Sequence, residues 1–307
     1  MKKPSRTQTP IPILEETRKD PDIRTPDQII VILVFFATVF LCSFALTSLA
    51  RSLLIHRYPA EPVPDTLRIL IYTYTTVLST AAGMAICRMM EGRSMRSMGI
   101  TKKKLLPDYA LGFLFGFILI SAAFLLQGAC GAIRKNSACT MPAPVMILLL
   151  IGWMLQGFNE EFFFRSWLTV SLGIRTTTRK AVIFSAIIFM SVHLTNRNIS
   201  LTACLNLFLF GVITALLLLR TGRIWSAAAL HTAWNWAQGN LYGFPVSGIS
   251  SGASVFHFAH TDAPDLLTGG GFGPEGSILT TCILLPTIVL LLILPHKNRD
   301  ISDKTES

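Results

Sequence analysis

Charge is what this chain lacks most: only 14% of its 307 residues are Asp, Glu, Lys or Arg, against about 25% in soluble domains. A water-solvated surface of the usual kind is thereby excluded. The longest polar connection between apolar stretches has about 35 residues, short of the ~50 needed for a separate soluble domain. Cysteine is also sparse, and the six present (42, 87, 130, 139, 204 and 282) lack the close spacing of a zinc site or a disulfide framework. Cys130 and Cys139 flank one loop and are expected to remain thiols. Internal repeats are missing, and the only low-complexity run is the glycine-rich 268–276, read as a turn into the last helix with Ser277 or Gly276 as its cap.

Half of the chain is hydrophobic, and the bilayer is the expected solvent. Apolar stretches of about 18 residues or more predict spanning helices at 29–49, 69–86, 109–130, 202–219 and 277–294. Three further segments, 145 to about 167, 181–194 and 224–241, are apolar on one face only, the pattern of helices lining a polar cavity. The expected fold is therefore all-α and polytopic, about eight transmembrane helices around a polar cavity. The first stretch is longer than the 7–15-residue core of a cleavable signal and is read as an uncleaved span.

Basic residues support that count. In an eight-helix alternation, twenty Lys and Arg fall on one side, including Lys2, Lys3, Arg6, Lys102, Lys103, Lys104, Lys297, Arg299 and Lys304, and six on the other. By the positive-inside rule both termini are cytoplasmic in a plasma or inner membrane. The stretch 242–276 has no Lys or Arg. The formal charge of +10 thus follows from topology, and a nucleic-acid partner is not expected. Residues 1–26, polar and proline-containing, are expected to be a disordered cytoplasmic tail; 27–296 form the bundle, with 145–241 as its core, and 297–307 are a second tail.

All the unusual polar residues fall in the three mixed segments. An ionisable side chain in hydrocarbon costs roughly 2.5–3.5 kcal/mol on insertion scales, so their retention points to use. Glu161 and Arg165 are spaced i,i+4 and share a helical face; Glu160, rotated about 100° away, is left to face a cavity. Phe189 and His193 are one turn apart, as are His231 and Asn235, the latter pair preceded by small residues that permit close helix packing.

This ordered set, Glu-Glu-x-x-x-Arg, Phe-x-x-x-His and His-x-x-x-Asn, resembles the CPBP family of intramembrane proteases, which includes the type II CAAX prenyl endopeptidases and bacterial proteins linked to bacteriocin processing and self-immunity. The resemblance covers about 145–241. It implies an intramembrane endopeptidase acting on a membrane-associated or precursor peptide, with Glu160 as general base, His193 polarising the water, and His231 and Asn235 contacting the oxyanion; Glu161, Arg165 and Phe189 support them. The family is commonly described as metalloproteases, and Glu160, His193 and His231 are also a ligand set for Zn2+. The short helical zinc signature of two histidines four apart is absent, so residue types leave both chemistries open.

Other readings are a membrane scaffold or bacteriocin-immunity protein that keeps the network for packing, and a proton-coupled transporter, which the missing repeat disfavours. His257, His260 and Asp262 are read as a solvated loop. The oligomeric state is not legible in the sequence.

Overall fold

A computed structural model describes residues 11–57, 63–138 and 141–294. The expected tail 297–307, the charges at 2, 3 and 6, and Cys139 lie outside them. Each of the eight expected segments is helical: α2 (Gln28–Arg57), α3 (Asp65–Glu91), α4 (Leu105–Ala129), α5 (Ala143–Glu161), α7 (Thr178–Val192), α8 (Leu201–Thr221), α9 (Trp225–Trp236) and α11 (Ile278–Ile293). Among the described residues four helices are long and apolar enough to cross a membrane, spanning Asp65–Glu91, Leu105–Ala129, Ala143–Arg175 and Leu201–Thr221; Gln28–Cys42 and Ile278–Ile293 are shorter apolar helices.

The third of these runs is long because α5 does not stop at its two glutamates. It continues through a π-helical turn, Phe162–Thr169, into α6 (Val170–Arg175). π-Turns inside α-helices often accompany functional sites. Here the turn buries all eight of its residues and packs Phe163, Phe164 and Trp167 edge-on against Phe35 of α2.

Helix α9 is the centre of the bundle, touching α4, α5 and α8, and Ser226–Asn235 are buried without a break. Such enclosure needs small residues on both sides of each contact. Ala227, Ala228 and Ala229 supply them from α9. From α4, a Cβ on Gly112 would stand 2.4 Å from the Ser226 carbonyl oxygen, and one on Gly116 2.3 Å from that of Leu230. At the end of this contact Asp108 and Arg223 form a buried ion pair, with Nη2 donating to Oδ1 at 2.9 Å.

Two features depart from the sequence expectation. The described part of the expected disordered tail is docked: α1 (Pro12–Arg18) buries Ile13, Leu14 and Thr17 against α6 and α8. Two aliphatic side chains one after the other, capped by Thr17 donating to the Ser97 carbonyl at 3.1 Å, are too few to register in composition. The fold is also not purely helical, since β1 (Ile133–Ala138) pairs antiparallel with β2 (Phe256–His260). The extended 242–276 connection carries β2, α10 (Asp265–Thr268) and two 3-10 turns, and α11 starts at Ser277, whose hydroxyl accepts from the Leu279 amide at 3.0 Å.

The close approach of α4 and α9 gives a direct test. Gly116→Val pushes a side chain into backbone, and overpacking of this kind costs about 1–3 kcal/mol. The variant should melt well below wild type in detergent; an unchanged melting temperature contradicts this packing.

Candidate active site

Glu161 ends α5 with no exposed surface, and each of its oxygens meets a charged or polar neighbour. Oε2 lies 3.1 Å from Nε of Arg165, one turn on, as the i,i+4 spacing expects. Oε1 lies 2.8 Å from Nδ1 of His231. An ionised carboxylate only accepts, so Nδ1 carries the proton and donates, and Nε2 of His231 points elsewhere. It points towards Glu160, whose Oε2 is 3.7 Å away.

The surroundings of Arg165 explain the Phe-x-x-x-His motif. Its Nε–H is donated to the Thr214 hydroxyl on α8 at 2.6 Å. The guanidinium carbon lies 4.6 Å from the centre of the Phe189 ring, and the two terminal nitrogens have no hydrogen-bond partner. The ring face takes the place of an acceptor, a cation–π contact that strengthens when desolvated. The backbone of the same residue holds His193: Nδ1 of His193 is 2.8 Å from the Phe189 carbonyl oxygen and donates to it, which leaves Nε2 as the free, accepting nitrogen.

Glu160 is handled differently from its neighbour. Its side chain is 17% exposed and forms no ion pair with an arginine among the described residues. Oε1 accepts from Nε2 of Gln156 at 2.5 Å, and Oε1 of Gln156 accepts from Nδ2 of Asn235 at 3.0 Å. Gln156 thus joins the first and third motifs. Sequence reasoning passed over it, although it sits one turn before Glu160; a lone glutamine in a helix carries no signal of its own.

Phe189, His193, Phe210, His231 and Asn235 line a cavity together with Glu275. Its free space is about 20 Å³, enough for one water. Glu160 is not among its lining residues, but its Oε2 lies 3.7 Å from Nε2 of His231, which is one of them. The structure therefore gathers Glu160, His231 and Asn235 through direct contacts and Gln156, and brings His193 to the same cavity wall as His231 and Asn235. Glu275, from the glycine-rich turn given no role in the sequence, is the unforeseen member.

The zinc alternative can be tested on these donors. Among the described residues no three His, Cys, Asp or Glu side chains converge as metal ligands. Nδ1 of each histidine is hydrogen-bonded, one to Glu161 and one to Phe189, which leaves each Nε2 open, as in ligating imidazoles. Among the described residues Glu160, His193 and His231 nevertheless do not converge as a three-ligand set in this arrangement. In the outer connection, His257 and His260 stand three apart on β2 and so face opposite sides of the strand. The His260 ring stacks on Phe244, and burial lowers its pKa despite the charge of Asp265.

A multi-pass helical membrane protein with adjacent carboxylates and two imidazoles in its interior is the class that fold and site define. Residues 142–237, about a third of the chain, match the family model described as type II CAAX prenyl endopeptidase Rce1-like, and that segment is similar to this family of proteases. All seven motif residues fall inside the match. No curated protein matches the chain at a significant level.

The two glutamates should separate on substitution. Removing one partner of a buried ion pair costs about 3–5 kcal/mol, so Glu161→Gln should melt far below wild type. Glu160→Gln, at a partly exposed side chain with no arginine ion pair among the described residues, should melt close to wild type. Equal melting temperatures for the two variants contradict the division.

Proposed function

We propose that the chain is an intramembrane endopeptidase that hydrolyses a membrane-associated or precursor peptide, with Glu160 as the base for the attacking water. The observation that carries this reading is the unequal treatment of the adjacent carboxylates. Arg165 neutralises Glu161, which is spent on holding His231; among the described residues Glu160 forms no ion pair with an arginine and contacts Gln156 and, at 3.7 Å, His231.

The chemistry follows from the free positions. Glu160 takes a proton from water as the water oxygen attacks the peptide carbonyl carbon. His193, with Nδ1 held by Phe189, accepts the water's other hydrogen at Nε2 and orients it. The carbonyl oxygen becomes an oxyanion, which Nε2–H of His231 and the second amide N–H of Asn235 stabilise. With both ring nitrogens of His231 protonated, its charge and that of Arg165 balance Glu160 and Glu161. Preorganised donors of this kind are worth about 2.7–4 kcal/mol each in characterised acyl-transfer sites. As the C–N bond breaks, Glu160 returns the proton to the leaving amine.

The eight helices are read as eight membrane crossings, with both termini on the cytoplasmic side of a plasma or inner membrane, on the strength of the Lys and Arg asymmetry. Glu160 and Glu161 close the first α-helical part of the run from Ala143 to Arg175, so the site lies within the bundle. A membrane-associated or lipidated peptide is the substrate class that can reach it.

Peptide hydrolysis by purified protein tests the reading. Glu160→Ala should abolish cleavage of a quenched-fluorescence peptide library while retaining the wild-type melting temperature, and Gln156→Leu should lower it about ten- to a hundredfold by freeing Glu160 and Asn235. Cleavage unaltered in Glu160→Ala overturns the assignment. The metal-free route expects activity to survive chelator; loss restored by zinc replaces it with a metal-assisted one. A scaffold or immunity protein predicts no cleavage by wild type under any of these conditions.

A further inference from the structure

Of the carboxylates buried within the helical bundle, Glu91 is paired with Arg93 and Arg175, Asp108 with Arg223 and Glu161 with Arg165. Glu275, only 7% exposed, has no arginine or lysine partner among the described residues. A buried carboxylate without a counterion is retained for what its oxygens hold. It lies outside the segment that matches the family model, yet lines the same cavity as His193, His231 and Asn235.

Each oxygen of Glu275 receives one N–H from a different part of the site. Oε2 accepts from Nε1 of Trp234 at 3.2 Å; Trp234 directly precedes Asn235 on α9. Oε1 accepts from the backbone amide of Ser247. Ser247 has φ of +48°, a conformation that costs a non-glycine residue about 1–3 kcal/mol and persists only where its surroundings hold it. From there the chain of bonds runs on towards the other histidine. The Ser247 carbonyl accepts from Nδ2 of Asn196 at 3.0 Å, and the Asn196 amide donates to the carbonyl of His193 at 2.9 Å.

The turn that carries Glu275 is itself fastened. Nδ2 of Asn206 on α8 donates to the Glu275 and Ser277 carbonyls at 2.7 and 2.8 Å, and Nε2 of Gln127 on α4 to that of Pro274 at 3.0 Å. Gly273, at φ +106°, lets the turn enter: a Cβ there would stand 2.2 Å from the Pro245 carbonyl oxygen.

We infer that Glu275 is a positioning residue of the site, tying the turn after α7 that bears His193 to the helix that bears His231 and Asn235, and so fixing the two histidines across the cavity. A carboxylate is required because both of its partners are N–H donors. Glutamine has one accepting oxygen and must turn its NH2 against either Trp234 or Ser247. The role rests on the proposed peptidase only in its kinetic consequence.

Carbethoxylation of individual histidines by diethyl pyrocarbonate, followed by peptide mass spectrometry on the full-length protein in detergent, tests this without any substrate. Glu275→Gln should raise the modification rate of His193 by about fivefold or more through local opening. The effect should shrink in a Trp234→Phe background, where the opposing donor is gone. Asn196→Ala breaks the same chain at the Ser247 carbonyl without touching Glu275, should act in the same direction, and decides the matter if Glu275→Gln does not fold. Wild-type rates at His193 in Asn196→Ala, or an undiminished effect in the double variant, overturn the inference. On any peptide that the wild type cleaves, Glu275→Gln should lower kcat about tenfold or more with KM within about twofold; kcat unchanged overturns the inference while leaving the peptidase intact, and absence of wild-type cleavage overturns the peptidase while the modification rates still decide this one.

Discussion

The double engagement of Glu161 is the interaction on which the rest of the site depends. One oxygen meets Arg165 at 3.1 Å and the other His231 at 2.8 Å, so a single buried carboxylate joins the π-helical turn to the central helix. Removing it leaves a guanidinium buried beside Thr214 and the rings of Phe164 and Phe189 without its ion-pair partner, and frees the ring that it orients. Desolvated charges of this sort are costly to strip of a partner, and that cost is what keeps the geometry fixed. Glu160, next in sequence, is left with unassigned capacity because the structural work is done by its neighbour.

The helices around this pair form two kinds of contact. Small residues let α4 and α9 approach until backbone meets backbone, which places His231 and Asn235 deep in the bundle. Aromatic rings fill the other side, with Phe210 and Phe189 edge-on to His231 at 5.0 and 6.2 Å. The imidazole therefore has a fixed orientation set by Glu161 and an apolar wall behind it. The connection 242–276 completes the cavity, held by side chains from α4, α8 and α9.

Much of this was legible in the chain. Hydropathy found the eight helical segments, and one-turn spacings found the Glu161–Arg165 pair and the Phe189–His193 contact, since both are local and helical periodicity alone brings them together. The contact between Glu161 and His231, seventy residues apart, could be expected only through the family resemblance. Gln156 was invisible because an amide between two distant polar groups has no pattern. Glu275 was masked by the glycines around it, which read as a turn and nothing more. The docking of α1 was hidden in a polar, proline-containing segment where Ile13 and Leu14 are too few to raise the local hydropathy. The π-turn was hidden by its composition, which is that of an ordinary apolar helix.

The central claim is that two adjacent glutamates have opposite tasks, one held by charge and the other open to react. Site-resolved labelling with dicyclohexylcarbodiimide, which attacks reachable carboxyl groups that can take up a proton, examines it most directly. The account predicts that in detergent-solubilised protein the adduct maps to Glu160 and not to Glu161, and that peptide cleavage is lost in proportion to labelling. An adduct on Glu161 with Glu160 untouched, or full labelling of Glu160 with cleavage preserved, contradicts it.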